Sequence, residues 1–457
     1  MNLTKTSFFT KDKAFYKTLF PMMLTIALQN IVAYSVNMAD NLMLGTYSQE
    51  ALSGAAIVNQ IFFMVQQFSI SVGNTLVALA AQYWGQHRVS PIRSLTGIAI
   101  KLGAAVSIIL ILLCQIIPIP ILKIFTSAPS IIDEGIVYLR LISWTFLLFI
   151  ITQTLMAALR AVQTVRISFW VSAISLVINV FFNYILIFGK LGLPEMGIAG
   201  AAIGTILARA VELAIILIYL LKKDTKLSLF GKDLLAKNTL LRKDFTKVYI
   251  PIMCATVLWG VSVPMQTSIL GHLSDNAIAA NSVATTFYQY LKVIVVAMSS
   301  ASAVMIGTAI GRGDMEKIKS DARTLACIDI FIGLLLGLAL VLLRKPLLSF
   351  YDLNAEAIDM ASNLIAIMGL IMVGMSYQMP VSFGIFQGGG DGNFTMKMNL
   401  ISTWCIVMPL SFAAAFWWKL PVEWVVVVIQ SDQIFKCLPT FIHFRKYGWM
   451  KKLTRAE

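Results

Sequence analysis

Long apolar runs separated by short polar segments recur along the entire chain. About twenty apolar residues are enough to cross a bilayer as a helix. By that measure the sequence predicts twelve spans, near residues 18–44, 51–83, 97–118, 133–157, 167–189, 195–221, 246–271, 278–310, 322–343, 356–386, 394–418 and 421–443. Barrel strands would instead alternate apolar and polar residues over about ten positions, and no run does so. The pattern predicts an all-α integral membrane protein with twelve transmembrane helices.

The composition supports a membrane protein. Hydrophobic residues make up 58% of the 457 positions and charged residues 13%, whereas soluble proteins carry about 25% charged residues. The net charge of +14 is spread over short loops and forms no continuous basic arm. We therefore expect the chain to meet a lipid bilayer and no nucleic acid.

The basic residues also predict an orientation. Of the 36 Lys and Arg residues, 26 fall in segments on the side of the N-terminus, five on the opposite side and five within spans. Cytoplasmic loops are enriched in Lys and Arg. The sequence therefore predicts a multi-pass protein of a bacterial or archaeal cytoplasmic (inner) membrane, with both termini in the cytoplasm.

A basic, amphipathic stretch divides the spans into two sets of six. The sequence predicts an N-terminal six-helix bundle over residues 1–221, a cytoplasmic linker over 222–245 and a C-terminal six-helix bundle over 246–457. Equal numbers of spans on each side of a linker are typical of an internal repeat.

The two halves do repeat, weakly and in the same direction. Leu44–Ala51 reads LGTYSQEA and Leu270–Ala277 reads LGHLSDNA, and Gly85 matches Gly311 at the same offset of 226. Parallel repeats of this kind relate by an axis along the membrane normal. We therefore expect a pseudo-twofold axis in that direction between the two bundles.

The first span carries an acid, Asp40, with no Lys or Arg in the same span. Its counterpart in the second half is Gln266, and the amides Asn179 and Asn183 are likewise matched there by apolar residues. Since burying such groups is costly unless they satisfy one another or an ion, we predict a proton- or cation-coupling site, joined by Asn37 on the same helical face as Asp40. The alternatives are an acid solvated at the membrane interface and amides that only hold helices together.

Further polar residues within the spans are candidates for the wall of a substrate cavity. They are Asn30, Tyr34, Gln60, Gln67, Gln266 and Lys292. Lys292 lies in the middle of a span, where it would repel a cation, pair with an acid or reach water.

The other charged residues in spans have simpler interpretations. Arg209 and Glu212 are three residues apart and Asp432 and Lys436 four apart, which is the spacing of pairs on one helix. We interpret both as self-paired charges. Asp329 is expected near the end of a span, where its side chain would reach water.

Nothing in the sequence indicates an enzyme or a metal centre. The five cysteines show no CxxC pairing, the three histidines form no cluster, and no GxSxG or HExxH motif occurs. Metal sites and hydrolytic centres need such groupings. We therefore expect neither an enzyme nor a cofactor.

Motifs spread over essentially the whole chain resemble the multidrug and toxic compound extrusion (MATE) family. They are Pro21, Asp40 with Leu44-Gly45, Ala81-Gln82-x-x-Gly85, Leu159-Arg160, Asn179-x-x-x-Asn183-Tyr184, Gly197–Ala202 and Phe386–Gly392. The resemblance implies two six-helix bundles around a central cavity that opens alternately to each side. It also implies export of diverse, often cationic amphipathic compounds in exchange for H⁺ or Na⁺.

The resemblance is closest to the DinF-like branch, in which an acid of the first helix bends that helix on protonation. Asp40 matches that acid, and Asn179 matches an Asn of the same cluster. The NorM-like branch uses acids in the seventh and tenth helices, and residues 251–270 and 364–386 contain none here. Some relatives with a sodium site carry Asp where this chain has Asn183, and hard cations favour anionic oxygens. H⁺ is therefore favoured, with Na⁺ bound at Asp40 and Asn179 as the alternative.

The sequence thus predicts a monomeric, polyspecific drug/H⁺ antiporter with Asp40 as its protonation switch. Its substrates would be small-molecule drugs and organic cations. One alternative is a Na⁺-coupled exporter of the same family. Another is a flippase for a lipid-linked or polysaccharide substrate, which would need a cationic cavity with Lys292 and Arg140 as candidates. A channel or receptor is a further alternative, although a duplicated bundle with a lone buried acid is more typical of carriers.

Overall fold

The computed structural model describes residues 9–229, 234, 238–271, 273, 275–349 and 355–455, and these contain helices and loops without a strand. The helices before the linker are α1 Lys13–Tyr47, α2 Gln49–Gly85, α3 Val89–Ile116, α4 Pro118–Lys123, α5 Pro129–Ile142, α6 Thr145–Ala161, α7 Arg166–Phe188 and α8 Gly197–Lys222. Those after it are α9 Thr239–Gly271, α10 Asp275–Arg312, α11 Met315–Leu348, α12 Ala355–Phe386, α13 Gly392–Trp417 and α14 Val422–Lys446.

The hydrophobic length of the helices agrees with twelve membrane crossings. Within the described residues eleven helices are long and apolar enough to span a bilayer, and α5 with α6 makes one further crossing that is bent by 47°. The predicted all-α, twelve-span fold is confirmed. The bend was not predicted. The hydroxyls of Ser143 and Thr145 donate there to the carbonyls of Arg140 and Ile142, and such local bonds compete with the regular helix.

Two of the later helices contain wide π-helical turns. In α12 these turns begin at Pro380, and in α13 they cover Asn399–Val407 and Ala413–Trp417, on either side of Pro409. A proline has no N–H to donate to the helix ladder, and π-turns let the neighbouring carbonyls find other donors.

The chain forms two compact units. One, here called the N-terminal unit, comprises Leu28–Ala80 and Arg88–Thr246; the other, the C-terminal unit, comprises Lys247–Glu457 with Met1–Ala27 and Ala81–His87. The predicted boundaries at residues 221 and 246 stay a prediction. The linker residues 230–233 and 235–237, and His272 and Ser274 of the repeat motif, lie outside the described residues.

The core of the N-terminal unit is built from small residues on α2 and larger ones on α3, α5 and α6. Ala51, Ala55 and Val58 of α2 are fully buried there with Leu139 and Phe146. Small side chains let membrane helices approach closely. This packing, together with the extensive contact between α7 and α8, fixes the helices that carry the candidate site.

In the C-terminal unit, the end of α2 crosses the end of α10 at two glycines that the repeat makes equivalent. A Cβ on Gly85 would overlap the carbonyl of Thr308, and a Cβ on Gly311 would overlap the carbonyl of Gln82. Each of these Cβ atoms would also lie 3.0 Å from the other glycine's Cα. Only glycine permits so close an approach of the two backbones.

The last described residues of the chain pack against the same end of α2. Gln82 Nε2 donates to the carbonyl of Lys451 at 3.1 Å, and the N–H of Leu453 donates to Gln82 Oε1 at 2.8 Å. The N–H of Lys451 donates to the carbonyl of Gly389, at the end of α12, at 2.8 Å. The C-terminal segment therefore holds two helix ends of the unit together.

Candidate functional site

Three of the predicted site residues meet in the N-terminal unit. Asp40 on α1 is 7% exposed, and Asn179 and Asn183 on α7 are fully buried. Asn183 Nδ2 donates to Asp40 Oδ1 at 2.5 Å and lies 3.4 Å from Asn179 Oδ1. Asn179 Nδ2 donates in turn to Thr205 Oγ1 on α8 at 3.2 Å. We call Asp40, Asn179, Asn183 and Thr205 the acid–amide cluster.

Helix geometry explains why these groups meet. The two asparagines are four residues apart on α7, so both amides point to one face. On α8 that face meets Gly204, where a Cβ would overlap Asn183 Oδ1. Gly204 therefore leaves the space that the Asn183 amide occupies beside Asp40. Thr205 and Gly204 were not predicted, because a small residue and a Thr in a membrane helix are usually packing residues.

Some polar groups of the cluster have hydrogen-bond partners and one does not. Thr205 Oγ1 donates to its own helix at the carbonyl of Ala201, 2.9 Å away. Asn183 Oδ1 is buried and has no hydrogen-bond partner within the described part of the chain. A buried amide oxygen without a donor costs about 1–3 kcal/mol. The Asn183 Oδ1 atom is thus an acceptor that is available to an additional hydrogen-bond donor.

Charges near the cluster come mainly from α8. Arg209 forms an ion pair with Glu212 at 2.8 Å and lies 5.0 Å over the ring of Phe149. The predicted self-pairing of Arg209 is therefore confirmed. Arg209 also interacts electrostatically with Asp40, as does Tyr138 of α5. The sequence spacing of Arg209 and Glu212 on α8 could not predict the interaction of Arg209 with Asp40, because that interaction depends on how α1 packs.

The structure does not bring the other predicted residues of the N-terminal unit into the cluster. None of the cluster's hydrogen bonds involves Asn37, which is exposed one turn before Asp40 on α1. Tyr34 and Gln60 are exposed as well, and Asn30 is half-buried. Their proposed place in a cavity wall stays a prediction.

Gln67 is the exception among the cavity candidates of this unit. It is 3% exposed, and its Oε1 has no hydrogen-bond partner among the described residues. The Gln67 side chain therefore lies in the interior of the protein in this structure. Its predicted place in a cavity wall also stays untested.

The candidates in the C-terminal unit lie on α9 and α10. Gln266 is half-buried on α9. Lys292 on α10 places its Nζ 4.6 Å from the centre of the Trp259 ring. A cation over an indole face is stabilised by the ring quadrupole. The structure thus places Lys292 against an aromatic ring, which is none of the three surroundings considered from the sequence.

A second buried polar network occupies the C-terminal unit. Asp432 and Lys436 form an ion pair at 2.7 Å with both side chains about 5% exposed or less. Lys436 Nζ also donates to Asn399 Oδ1 at 2.7 Å and to Thr403 Oγ1 at 3.1 Å, and Ser402 donates to Asp432 at 2.8 Å. The predicted self-pairing is confirmed, and the pair is embedded in bonds from α13.

The expectation for Asp329 was wrong. Its side chain is 1% exposed in the middle of α11, and both carboxylate oxygens lack a hydrogen-bond partner within the described residues. The span was expected to begin at residue 322, whereas the helix begins at Met315, where Asp314 accepts from the N–H of Lys317. Residues 315–321, which precede the predicted span, form the first turns of the helix.

The groups of the acid–amide cluster that could bind an ion are one carboxylate, two amides and a hydroxyl. Within the described part of the chain, no three His, Cys, Asp or Glu residues are grouped to hold a metal ion. Transition metals favour imidazole or thiolate ligands, which the cluster does not offer. Its oxygen ligands suit a proton or a hard cation.

Comparison with solved structures identifies the fold of this molecule. Solved structures with the same fold include a MOP superfamily transporter from Pyrococcus furiosus, with a TM-score of 0.86, 17% identity, and coverage of 97% of this chain and 100% of that one. A mutant of the Vibrio cholerae MATE transporter VcmN gives a TM-score of 0.86 at 18% identity, covering 96% and 98%. This chain therefore shares its fold with these solved structures.

Sequence comparisons then identify the family. The MatE family model matches residues 25–185 and 251–413. A Thermotoga maritima protein named "Probable multidrug resistance protein NorM" is 26% identical over 94% of this chain and 92% of its own length. "Multidrug resistance protein MdtK" of Photorhabdus laumondii is 22% identical over 83% of each chain. The chain belongs to the MatE family of multidrug and toxic compound extrusion transporters, and it is a multi-pass membrane transporter and not an enzyme. Its place in the DinF-like branch stays a prediction.

Proposed function

We propose that this transporter exports amphipathic, often cationic compounds in exchange for H⁺, and that Asp40 is the group that binds the coupling proton. The observation that carries the proposal is the burial of Asp40 against Asn183 in the acid–amide cluster. The names of the relatives, which are multidrug resistance proteins of bacteria, support the substrate class. They also support a place in the bacterial cytoplasmic membrane, with drugs and organic cations as partners.

The proton changes what Asp40 can bond. As a carboxylate it only accepts, and the Asn183 amide donates to it. As a carboxylic acid it gains one O–H donor, for which the unpartnered Asn183 Oδ1 is the nearby acceptor. Rotation of the Asn183 amide by half a turn would present that oxygen to Asp40. Protonation therefore exchanges one α1–α7 contact for another.

Such an exchange can drive transport only if the two bonding patterns favour different conformations. A ligand shifts an equilibrium by its differential affinity for the two states. We propose that the shape of α1 favoured by the proton binds substrate less tightly, so that the proton lowers the affinity for substrate and substrate lowers the affinity for the proton by the same factor. This reciprocal coupling, together with access that alternates between the two sides of the membrane, gives antiport.

The donor set favours H⁺ over Na⁺. The cluster contains a single carboxylate, and the second position that could carry an acid is Asn183. Na⁺ is a hard cation that prefers several oxygen ligands with negative charge among them. Na⁺ coupling is the alternative, with Asp40 and Asn179 as its ligands.

The test is dye export from vesicles containing the purified full-length protein, with proton and sodium gradients imposed separately. We expect export of a fluorescent cationic dye to follow the proton gradient. Asp40→Asn should remove this dependence while the protein stays folded, because the amide cannot exchange a proton. Leu42→Ala, a change at an exposed apolar residue two positions further along α1, is the matched control and should keep proton-driven export.

Two results would contradict the proposal. Proton-driven export by the Asp40→Asn variant at the normal rate would remove Asp40 from the coupling step. Export that follows only the sodium gradient would replace H⁺ by Na⁺ as the coupling ion. The proton release that accompanies dye binding to protein in unbuffered detergent solution provides an independent measurement.

A further inference from the structure

Asp329 is a buried acid that the proposed transport cycle does not use. It lies in the C-terminal unit, in the middle of α11, with 1% of its side chain exposed. Neither carboxylate oxygen has a hydrogen-bond partner among the described residues. An ionised carboxylate that is buried without a partner carries a large desolvation cost, which a bound proton removes. The surroundings of Asp329 therefore suit a carboxylic acid better than a carboxylate.

Two hydroxyls of α12 lie beside this part of α11 and are also unpartnered. Ser376 Oγ and Tyr377 Oη are buried oxygens without a hydrogen-bond partner in the described part of the chain. A Cβ on Gly333, one turn after Asp329, would lie 3.0 Å from Ser376 Oγ, so this hydroxyl faces α11. Tyr377 interacts electrostatically with Asp329. We call Asp329, Ser376 and Tyr377 the acid–hydroxyl cluster.

The cluster can bond within itself in either protonation state. A carboxylate only accepts, and each hydroxyl can donate to it. A carboxylic acid gains an O–H donor, and each hydroxyl can also accept. Because buried polar groups are nearly always bonded, three unbonded ones at a single helix contact indicate a site whose bonds change with a ligand. Rotation of the two hydroxyls is enough to follow the gain or loss of a proton.

A cavity of about 810 Å³ adjoins Tyr377 on α12. Tyr377 lines it together with Cys327 and Ile330 of α11 and Arg445 of α14, whereas Asp329 is not one of its lining residues. Arg445 lies in the last turn of α14, at the end that the Lys/Arg distribution predicts to be cytoplasmic. Tyr377 therefore contacts a space that extends to the predicted cytoplasmic end of α14, and it also interacts with the buried acid.

Titratable or charged groups reach the cluster or its cavity from α11, α10 and α14. Tyr288 of α10 donates to Met375 Sδ at 2.7 Å, next to the two hydroxyls. Thiols and phenols are mostly neutral near pH 7, and guanidinium groups stay charged. A change of charge near neutral pH is therefore expected at Asp329. The groups considered are Cys327 and Arg323 on α11, Tyr288 on α10, Cys437 and Arg445 on α14, and Tyr447 after it.

We propose that Asp329 is a second proton-binding group of this transporter, with Ser376 and Tyr377 as its partners and the cavity as its route to the cytoplasm. When the Tyr377 hydroxyl turns toward the cavity, water that enters there can bond it. The hydroxyl accepts a proton from the water side as it passes its own proton to the carboxylate, so it ends as the same neutral phenol. The reverse sequence releases the proton. Asp40 takes no part in these steps, so the inference goes beyond the proposed function.

The composition of the cluster favours a proton over a metal cation. Hard cations bind several oxygens, with carboxylates prominent among them. The acid–hydroxyl cluster offers one carboxylate and two hydroxyls. A proton needs only one of these oxygens and one acceptor for the O–H that it creates.

The test is infrared spectroscopy of the purified full-length protein in detergent. At neutral pH we expect the C=O stretch of a protonated carboxyl group, and this band should disappear as the pH is raised and return when it is lowered. Asp329→Asn should lose the contribution of one such group. Asp359→Asn, at an exposed acid of α12, is the matched control and should keep it. Recording both variants in an Asp40→Asn background removes the acid of the acid–amide cluster from the spectrum.

Tyr377→Phe tests the route, because it keeps the aromatic ring and removes the hydroxyl. On transfer from H₂O to D₂O, the band of Asp329 should shift as deuterium replaces its proton. We expect Tyr377→Phe to slow this shift about a hundredfold, the lower end of what a positioned proton-transfer group contributes. Tyr184→Phe, at an exposed tyrosine of α7, is the matched control and should exchange at the normal rate.

Four results would overturn the proposal. A spectrum unchanged by Asp329→Asn would show that Asp329 is ionised, and a band that persists at every pH at which the protein is folded would make it a fixed structural acid. Equal exchange rates in Tyr377→Phe and Tyr184→Phe would exclude the route. Loss of the band on addition of NaCl at constant pH would identify a Na⁺ site instead.

The experiment stays decisive if a variant does not fold. The melting temperature of each variant shows whether it is folded, and the pH and NaCl measurements use the unaltered chain. None of the measurements depends on dye export. The proton site at Asp329 and the coupling role of Asp40 can therefore fail separately.

Discussion

Gly204 sets the space available to the Asn183 amide in the acid–amide cluster. A Cβ at this position would overlap Asn183 Oδ1, the oxygen that the proposed exchange of hydrogen bonds brings into use. The residue has no polar group of its own. Its effect on function should therefore appear through the position of its neighbour.

We expect Gly204→Ala to lower the melting temperature and to impair proton-driven dye export. Adding a methyl group to a tightly packed site costs about 1–3 kcal/mol, and here the displaced atom is the amide beside Asp40. Gly73→Ala on α2 is the matched control, since its Cβ would meet Ala157 at an ordinary 3.4 Å. If both variants exported dye equally well, the space beside Asn183 would be irrelevant to transport.

At the scale of residues, the sequence predicted the polar centre of the cluster and missed its surroundings. Asp40, Asn179 and Asn183 stood out because the second half of the repeat lacks all three. Gly204 and Thr205 carry no such contrast and resemble ordinary packing residues. Asp329 was expected near the end of a span because the apolar run begins only at residue 322, seven residues after the start of the helix.

At the scale of helices, the polar network of Asp432 and Lys436 shows how α14 is held against α13. Both charged side chains are buried, and each bonds at least one polar group of α13 in addition to its partner. Removing one partner of a buried pair leaves an uncompensated charge, at a cost of about 3–5 kcal/mol.

Lys436→Met should therefore lower the melting temperature of the purified transporter strongly. The double variant Asp432→Asn with Lys436→Met should recover most of that loss, because no buried charge then lacks a partner. Thermal unfolding in one detergent measures both. Equal losses in the single and double variants would show that the ion pair itself, and not the isolated carboxylate, determines stability.

Hydropathy predicted the existence of the helices better than their shape. The apolar runs are long enough to identify twelve crossings, since each must satisfy its backbone internally within lipid. The bend between α5 and α6 and the π-turns of α12 and α13 depend on single hydroxyls and prolines. Their effect on helix geometry is decided by packing, which hydropathy does not describe.

At the scale of the whole chain, the C-terminal segment joins helix ends that are distant in sequence. Gln82 is fully buried and bonds the carbonyl of Lys451 and the N–H of Leu453. Gln86 Nε2 donates to Thr454 Oγ1 at 2.6 Å nearby. These contacts lie within the C-terminal unit, although α2 begins in the N-terminal one.

Gln82→Leu should loosen this segment and speed tryptic cleavage after Lys451 and Lys452. Leu cannot accept from the N–H of Leu453 or donate to the carbonyl of Lys451, so both hydrogen bonds that tie the segment to α2 are lost; a hydrogen bond contributes about 0.5–1.5 kcal/mol. Gln49→Leu, at the exposed start of the same helix, is the matched control. An unchanged cleavage rate in Gln82→Leu would show that other contacts hold the segment in place.

The crossing of Gly85 and Gly311 has a consequence for the origin of this protein. Gly85 lies against Thr308 and Gly311 against Gln82, and residues 82 and 308 are themselves separated by the repeat offset of 226. The contact is therefore reciprocal, as at the interface of a symmetric homodimer. A half-length ancestor could have made it between two identical subunits before gene duplication and fusion joined them, and a substitution at its single glycine position would then have altered both sides of the crossing at once.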